Sequence, residues 1–152
     1  MTLAEDKVRP ADPADLEELV LLLGQLFALE TDFDYNPAKQ RRGLQLLMAN
    51  PGALVLVAER QGRVVGMCTG QLLVSTAEGG CSVLVEDVVV LPAWQGQGIG
   101  SALLAALGDW AQDQGATRLQ LLADRANTPA FAFYRHLGRQ TTELVCLRQV
   151  RR

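Results

Sequence analysis

The chain has 152 residues, a hydrophobic fraction of 49% and a formal net charge of −3. That length suits one domain, residues 1–152, with a sizeable core, and the charge excludes the basic footprint of a nucleic-acid binder. No apolar run is long enough to cross a bilayer, and Met1 to Pro10 is polar and mixed in charge rather than leader-like, so a cytoplasmic protein is expected.

The elements follow in chain order. Val8-Arg9 is a short strand. Asp12-Pro13 supplies an N-cap and a first-turn proline. Leu16, Leu19, Val20, Leu23, Leu26 and Phe27 then recur at helical spacing. Glu30 to Asn36 is a polar turn. Pro37 opens a second helix to about Met48, closed by Asn50-Pro51-Gly52. Ala53 to Ala58 is a strand, Gln61-Gly62 a hairpin turn, and Val64 to Val74 the next strand. Ala77 to Gly80 is the return loop, and Ser82 to Val90 the fourth strand. A helix runs from about Gly98 to Gln114, with Ile99, Leu103, Leu107 and Trp110 on one face and Gly115 as its cap. Thr117 to Leu122 reads as a buried strand, Asn127 to Leu137 as a helix, and Thr141 to Gln149 as a strand that closes the sheet.

Three cysteines, Cys68, Cys81 and Cys146, lie in predicted strands without C-x-x-C spacing. The odd count argues against a disulfide framework, and they read as small core residues. A nucleophilic Cys81 is the less favoured reading. The lone His136 has no companions at ligand spacing, so no metal is expected.

The segment from Val88 to Leu104 carries most of the information. A β-branched run enters it and an amphipathic helix leaves it, with Gly96, Gly98 and Gly100 between. Such a turn aims backbone N–H groups at an anion, at the positive end of a helix. A Rossmann G-x-G-x-x-G fails from Gly96, where Ser101 stands in place of the last glycine, and from Gly98, where Leu103 does. No P-loop string occurs. Q-x-x-G-x-G does fit, at Gln95, Gly98 and Gly100. It resembles the pyrophosphate-binding signature of the GNAT superfamily of acyl-CoA-dependent N-acyltransferases. Leu84 to Pro92 resembles that family's fourth strand. Asn127-Thr128-Pro129-Ala130-Phe131-Ala132-Phe133-Tyr134-Arg135-His136-Leu137-Gly138 resembles its N-x-x-A-x-x-x-Y-x-x-x-G helix. Together these blocks place the resemblance over roughly residues 54 to 149. The string from Leu84 to Ser101 is most similar to the diamine and thialysine acetyltransferases. Two departures stand out: Gln95 replaces the usual arginine, and Arg139 the usual phenylalanine.

The resemblance implies an α/β fold: a mixed, twisted sheet splayed between strands four and five, helices on both faces, in the order β-α-α-β-β-β-α-β-α-β. It implies direct acetyl transfer from acetyl-CoA to an amine. The pantetheine arm would lie along Val88, Val89 and Val90, and the pyrophosphate on the amides of Gln95, Gly96, Gln97, Gly98, Ile99, Gly100 and Ser101. Asn127, Ala130, Tyr134 and Arg135 would complete the cosubstrate site, and relatives are often homodimers.

The chemistry then needs a base for the ammonium, a donor for the carbonyl oxygen and an acid for the leaving thiolate. Glu86 is the candidate base, acting through a water; its bland alternative is a salt-bridged strand carboxylate. By strand parity Glu86, Val88 and Val90 should share one face and Asp87 the other, unless a bulge brings Asp87 to the acceptor site. The N–H of Val88 is the candidate oxyanion donor. Tyr134 is the candidate acid, or else an aromatic packing residue beside Phe131 and Phe133. For the acceptor, the resemblance implies a site built by the first two helices and the loop joining them, where Glu30, Asp32 and Asp34 with Phe33 and Tyr35 suit a cationic amine or else form a solvated acidic turn. With the likeness of Leu84 to Ser101, a small polyamine or a lysine-like amino acid leads, with Glu30 and Asp87 as its contacts. Aminoglycosides, protein or peptide amines, a non-catalytic acyl-CoA sensor and a nucleotide-binding regulator are the alternatives.

Overall fold

The computed structural model describes residues 6–30 and 32–151. The leader reading, drawn from Met1 to Pro10, falls partly outside them. The chain divides into two compact units that meet at Leu121 and Leu122.

The first unit contains β1 (Lys7–Pro10), α1 (Leu16–Leu29), α2 (Pro37–Ala49), β2 (Ala53–Arg60), β3 (Arg63–Ser75), β4 (Gly80–Val90), α3 (Ile99–Asp113) and β5 (Leu119–Leu121). The strands form one sheet in the order β1-β2-β3-β4-β5. Neighbours are antiparallel as far as β4, and β5 joins β4 in parallel. The Asp12 side chain accepts the Ala14 N–H, and the Asp15 carboxylate accepts the Asp12 N–H, a reciprocal cap that leads into α1. Arg9 grips both oxygens of Asp15, at 2.7 and 3.0 Å, and reaches Glu59 at 2.9 Å, tying this entry to β1 and β2.

The two faces of the sheet carry different helices. Leu19, Val20, Leu22 and Leu23 of α1 and Leu44 of α2 pack with Val55, Val57, Met67 and Val89. On the opposite face α3 buries Ile99, Leu103, Leu104, Leu107 and Ala111. Two glycines of β3 set how close α3 comes. A Cβ at Gly70 would stand 2.8 Å from Leu107 Cδ1, and one at Gly66 would stand 3.3 Å from both Ile99 and Leu103. Trp110, expected on the same stripe, is only partly covered.

The predicted strand Thr117–Leu122 is shorter and less buried than expected. Only Leu119–Leu121 pairs, against Val83–Val85, because the parallel ladder ends there.

The second unit is built on α4 (Thr128–His136). Asn127 caps it, its side chain accepting the Ala130 N–H at 3.2 Å. Gly138 (φ 83°) ends it, and the Arg139 N–H returns to the Tyr134 carbonyl at 2.9 Å. The closing strand expected at Thr141–Gln149 is not formed. Residues 139–151 carry no regular structure, and Leu144 and Leu147 are exposed. An apolar, β-branched run becomes a strand only where a ladder accepts its N–H and C=O groups. Cys146, expected in a core, is accordingly exposed, while Cys68 is buried.

Candidate active site

Strand β4 is irregular where the chemistry was expected. Cys68 pairs with Val88 and Gly70 with Val85, so Thr69 alone faces Glu86 and Asp87. Two residues opposite one make a bulge, and a bulge reverses the parity that follows it. Before it, Val83 and Val85 lie on the α3 face, since a Cβ on Gly70 would meet Val83 and Leu107. After it, Val89 pairs with Met67 and joins the α1–α2 core. Val88 pairs with Cys68, whose thiol approaches the Leu103 carbonyl, so Val88 faces α3, and Val90 follows it. The expected shared face for Glu86, Val88 and Val90 is therefore wrong. Glu86 and Asp87 stand together on the α1–α2 side.

Both carboxylates line a cavity of about 370 Å3. Leu23 and Phe27 come from α1, Lys39, Gln40, Gly43, Leu44, Leu46 and Leu47 from α2, and Gln71 from β3; Asn50 completes the wall. Glu86 is exposed, whereas Asp87 is half-buried. Burial pushes the Asp87 carboxyl up to about 6; a hydrogen bond from Thr69 opposes this, and the charges of Glu86 and Glu30 add to it. Burial, with a smaller push from Asp87, takes the Cys68 thiol up to about 12, which makes it an inert core group.

The cationic-acceptor loop divides its duties. Tyr35 packs on α1, its ring 3.0 Å from where a Gly24 Cβ would sit, and its hydroxyl donates to the Val20 carbonyl at 3.3 Å. Phe33 lies against Phe27, with ring centroids 6.0 Å apart. Glu30 acts on the cavity through its field at Asp87. Asp32 and Asp34 are not among the lining residues.

Between β4 and α3 the glycine loop has the geometry that an anion needs. Gly96 (φ 77°) and Gly98 (φ 80°) are left-handed, a conformation that costs other residues strain. No atom lies within 4 Å of a Cβ built on either, so a ligand can approach the backbone. Gly98 is the N-cap of α3 and offers no side chain to the first-turn N–H groups of Ile99, Gly100 and Ser101. The Ile99 side chain is buried, which leaves its amide as the contacting group. Gln95 points elsewhere: its amide donates to the Val90 carbonyl at 3.0 Å. The β4–β5 ladder stops at Val85, so on the β5 side Glu86 to Val90 carry no ladder among the described residues. This edge leads from the carboxylates to the glycine loop.

The sequence profile of the Acetyltransferase (GNAT) family matches residues 21–138. The chain belongs to that family. This GNAT protein is an acetyl-CoA-dependent N-acetyltransferase. It is 31% identical over 148 residues to an aminoglycoside N(6')-acetyltransferase type 1 of Stenotrophomonas maltophilia, covering 95% of this chain and 93% of the relative. It is 27% identical over 151 residues to a thialysine N-epsilon-acetyltransferase of Mus musculus, covering 91% and 86%. Among solved structures, the aminoglycoside acetyltransferase AAC(6')-Iy with a bisubstrate analogue superposes with a TM-score of 0.82 at 20% identity, covering 97% and 99%, a likeness of fold.

The first unit of this acetyltransferase holds Glu86, Asp87, Val88, Val89, Val90 and the loop from Gln95 to Ser101. The second holds Asn127, Ala130, Tyr134 and Arg135 on or at α4. Within that unit the Tyr134 ring meets Phe133 edge-on at 5.2 Å. Four polar residues escaped the sequence reading: Thr69, Gln71, Lys39 and Gln40. The one available signal was a pair of polar residues, Thr69 and Gln71, inside the otherwise apolar run from Val64 to Val74.

Proposed function

We propose that the enzyme moves the acetyl group of acetyl-CoA directly to a primary amine of a small cationic acceptor, a polyamine or a lysine-like amino acid, in a ternary complex. The observation that carries this is the bulge that sets Glu86 and Asp87 side by side in one small cavity. Two carboxylates in a pocket with a mixed apolar and polar wall attract an ammonium group, and about 370 Å3 suits a small amine, at the lower end of ligand-pocket sizes.

Acetyl-CoA supplies the acetyl group as an activated thioester; the chain supplies the rest. The loop from Gln95 to Ser101, with the uncapped first-turn amides of Ile99, Gly100 and Ser101, and the dipole of α3 receive the pyrophosphate. The unpaired edge at Val88, Val89 and Val90 receives the pantetheine as an added strand. Asn127, Ala130 and Arg135 complete that contact, and Glu30 and Asp87 hold the acceptor's charge. Glu86, exposed at the cavity, takes the ammonium proton through a water. The Val88 N–H stabilises the oxygen of the tetrahedral intermediate, and the Tyr134 phenol protonates the departing thiolate. The proposal extends to one acetyltransferase domain over residues 1–152, acting as a cytoplasmic homodimer.

One observation favours a second acceptor, an aminoglycoside: the relative so named matches across 95% of this chain. The deciding assay is CoA-thiol release from acetyl-CoA with polyamines, lysine-like amino acids, aminoglycosides and lysine peptides. Turnover confined to the first two groups supports the proposal. Turnover confined to aminoglycosides replaces it, and acetyl-CoA binding without release on any amine favours a sensor.

A further inference from the structure

We propose that Thr69 is a positioning residue for the acceptor: its hydroxyl spans the β4 bulge and holds Asp87 as the oriented, charged carboxylate that receives a cationic amine. The inference rests on the acetyltransferase reading above and adds to it a residue on a different strand.

Thr69 is 1% exposed, and its hydroxyl makes two bonds. It donates to Asp87 Oδ2 at 2.9 Å and accepts the Asp87 N–H at 3.2 Å. A bulge interrupts the ladder and leaves backbone groups in search of partners. Here one hydroxyl satisfies the N–H of the bulged residue and fixes the carboxylate of that same residue. Backbone and side chain of Asp87 are thus locked by one atom, which also sets how the carboxylate meets the cavity. Valine has nearly the same shape and can do neither.

The surroundings make this bond decisive for charge. Glu86 faces the cavity from β4, Glu30 follows α1, and Lys39 lines the wall from α2. On β3 the one titratable neighbour of Thr69 is Cys68, which faces α3. Burial, Glu86 and Glu30 all favour a protonated Asp87, and the Thr69 hydroxyl is the group that favours the ionised form. Near neutrality the hydroxyl therefore governs how much of the acceptor pocket's second charge is present.

The test uses the full chain, with Thr69→Val and Thr69→Ser. Carbon-13 NMR of the Asp87 carboxyl follows its titration, with and without 1,4-diaminobutane, beside the pH dependence of kcat/KM for that amine. Thr69→Val should raise the Asp87 midpoint by about one pH unit, equivalent to a tenfold change in the ratio of ionised to protonated carboxyl. The acid limb of kcat/KM should move with it, through KM more than kcat, and Thr69→Ser should restore both. An unmoved midpoint, a kcat/KM limb that ignores a moved midpoint, or losses that serine does not restore would each overturn the inference. Absence of CoA release from the wild type with every amine would instead sink the acetyl-transfer reading. The diamine titration still decides in that case: a wild-type Asp87 midpoint lowered by the diamine supports the role of Thr69, and an indifferent one overturns it.

Discussion

The side-chain amide of Gln95 donates to the carbonyl of Val90 at 3.0 Å, so the first residue of the glycine loop is tied back to the last residue of β4. In this chain the position works as a latch rather than as a phosphate cation. Gln95→Ala and Gln95→Glu both remove the donor. Each should raise the acetyl-CoA KM about three- to tenfold, the worth of one hydrogen bond of roughly 1 kcal/mol, with kcat little changed. Steady-state kinetics at two salt concentrations check this. A variant with unaltered KM would show that the loop holds its shape without the latch.

Glu86→Gln should lower kcat by about 10²–10⁴, the usual worth of a positioned base. The acid limb of the kcat profile should flatten, and calorimetry should find acetyl-CoA binding as before. If the profile keeps its shape, Glu86 is not the base.

Tyr134→Phe keeps the ring and its edge-on contact with Phe133 and removes only the hydroxyl. Turnover should fall by about 10²-fold, within the range for a lost general acid, with an unchanged circular dichroism spectrum and melting temperature. Wild-type activity would assign the thiolate proton to another group.

Asp87 should cost the fold stability at neutral pH. Its folded pKa, about 6, lies above the ordinary 3.8. The folded state therefore binds the proton more tightly. The stability this confers is complete below about pH 4 and is lost as pH rises through 6. Asp87→Asn should accordingly be more stable than wild type above pH 7, by on the order of 2–3 kcal/mol, with the gap closing toward pH 4. Urea unfolding across that range measures it. A gap that instead widens toward low pH would mean that Asp87 is held ionised by a partner.

The parts of the site made by local backbone chemistry were legible in the chain itself. Left-handed glycines at 96 and 98, the start of α3 at Ile99 and the cap of α4 at Asn127 depend on residues a few positions apart. Side-chain spacing likewise announced the buried stripes of α1 and α3, and the family likeness of the blocks at 84–101 and 127–138 named the chemistry. Tertiary structure decided what depends on a partner strand. The bulge exists because two residues of β4 face Thr69 alone, a count invisible in either strand taken separately, and it turns Asp87 into the cavity and Val88 and Val90 away from it. Thr69 and Asp87 are 18 residues apart, so no local pattern links them. Residues 141–149 fail in the opposite sense: their composition suits a strand, yet no ladder receives them, since pairing and not propensity makes a strand.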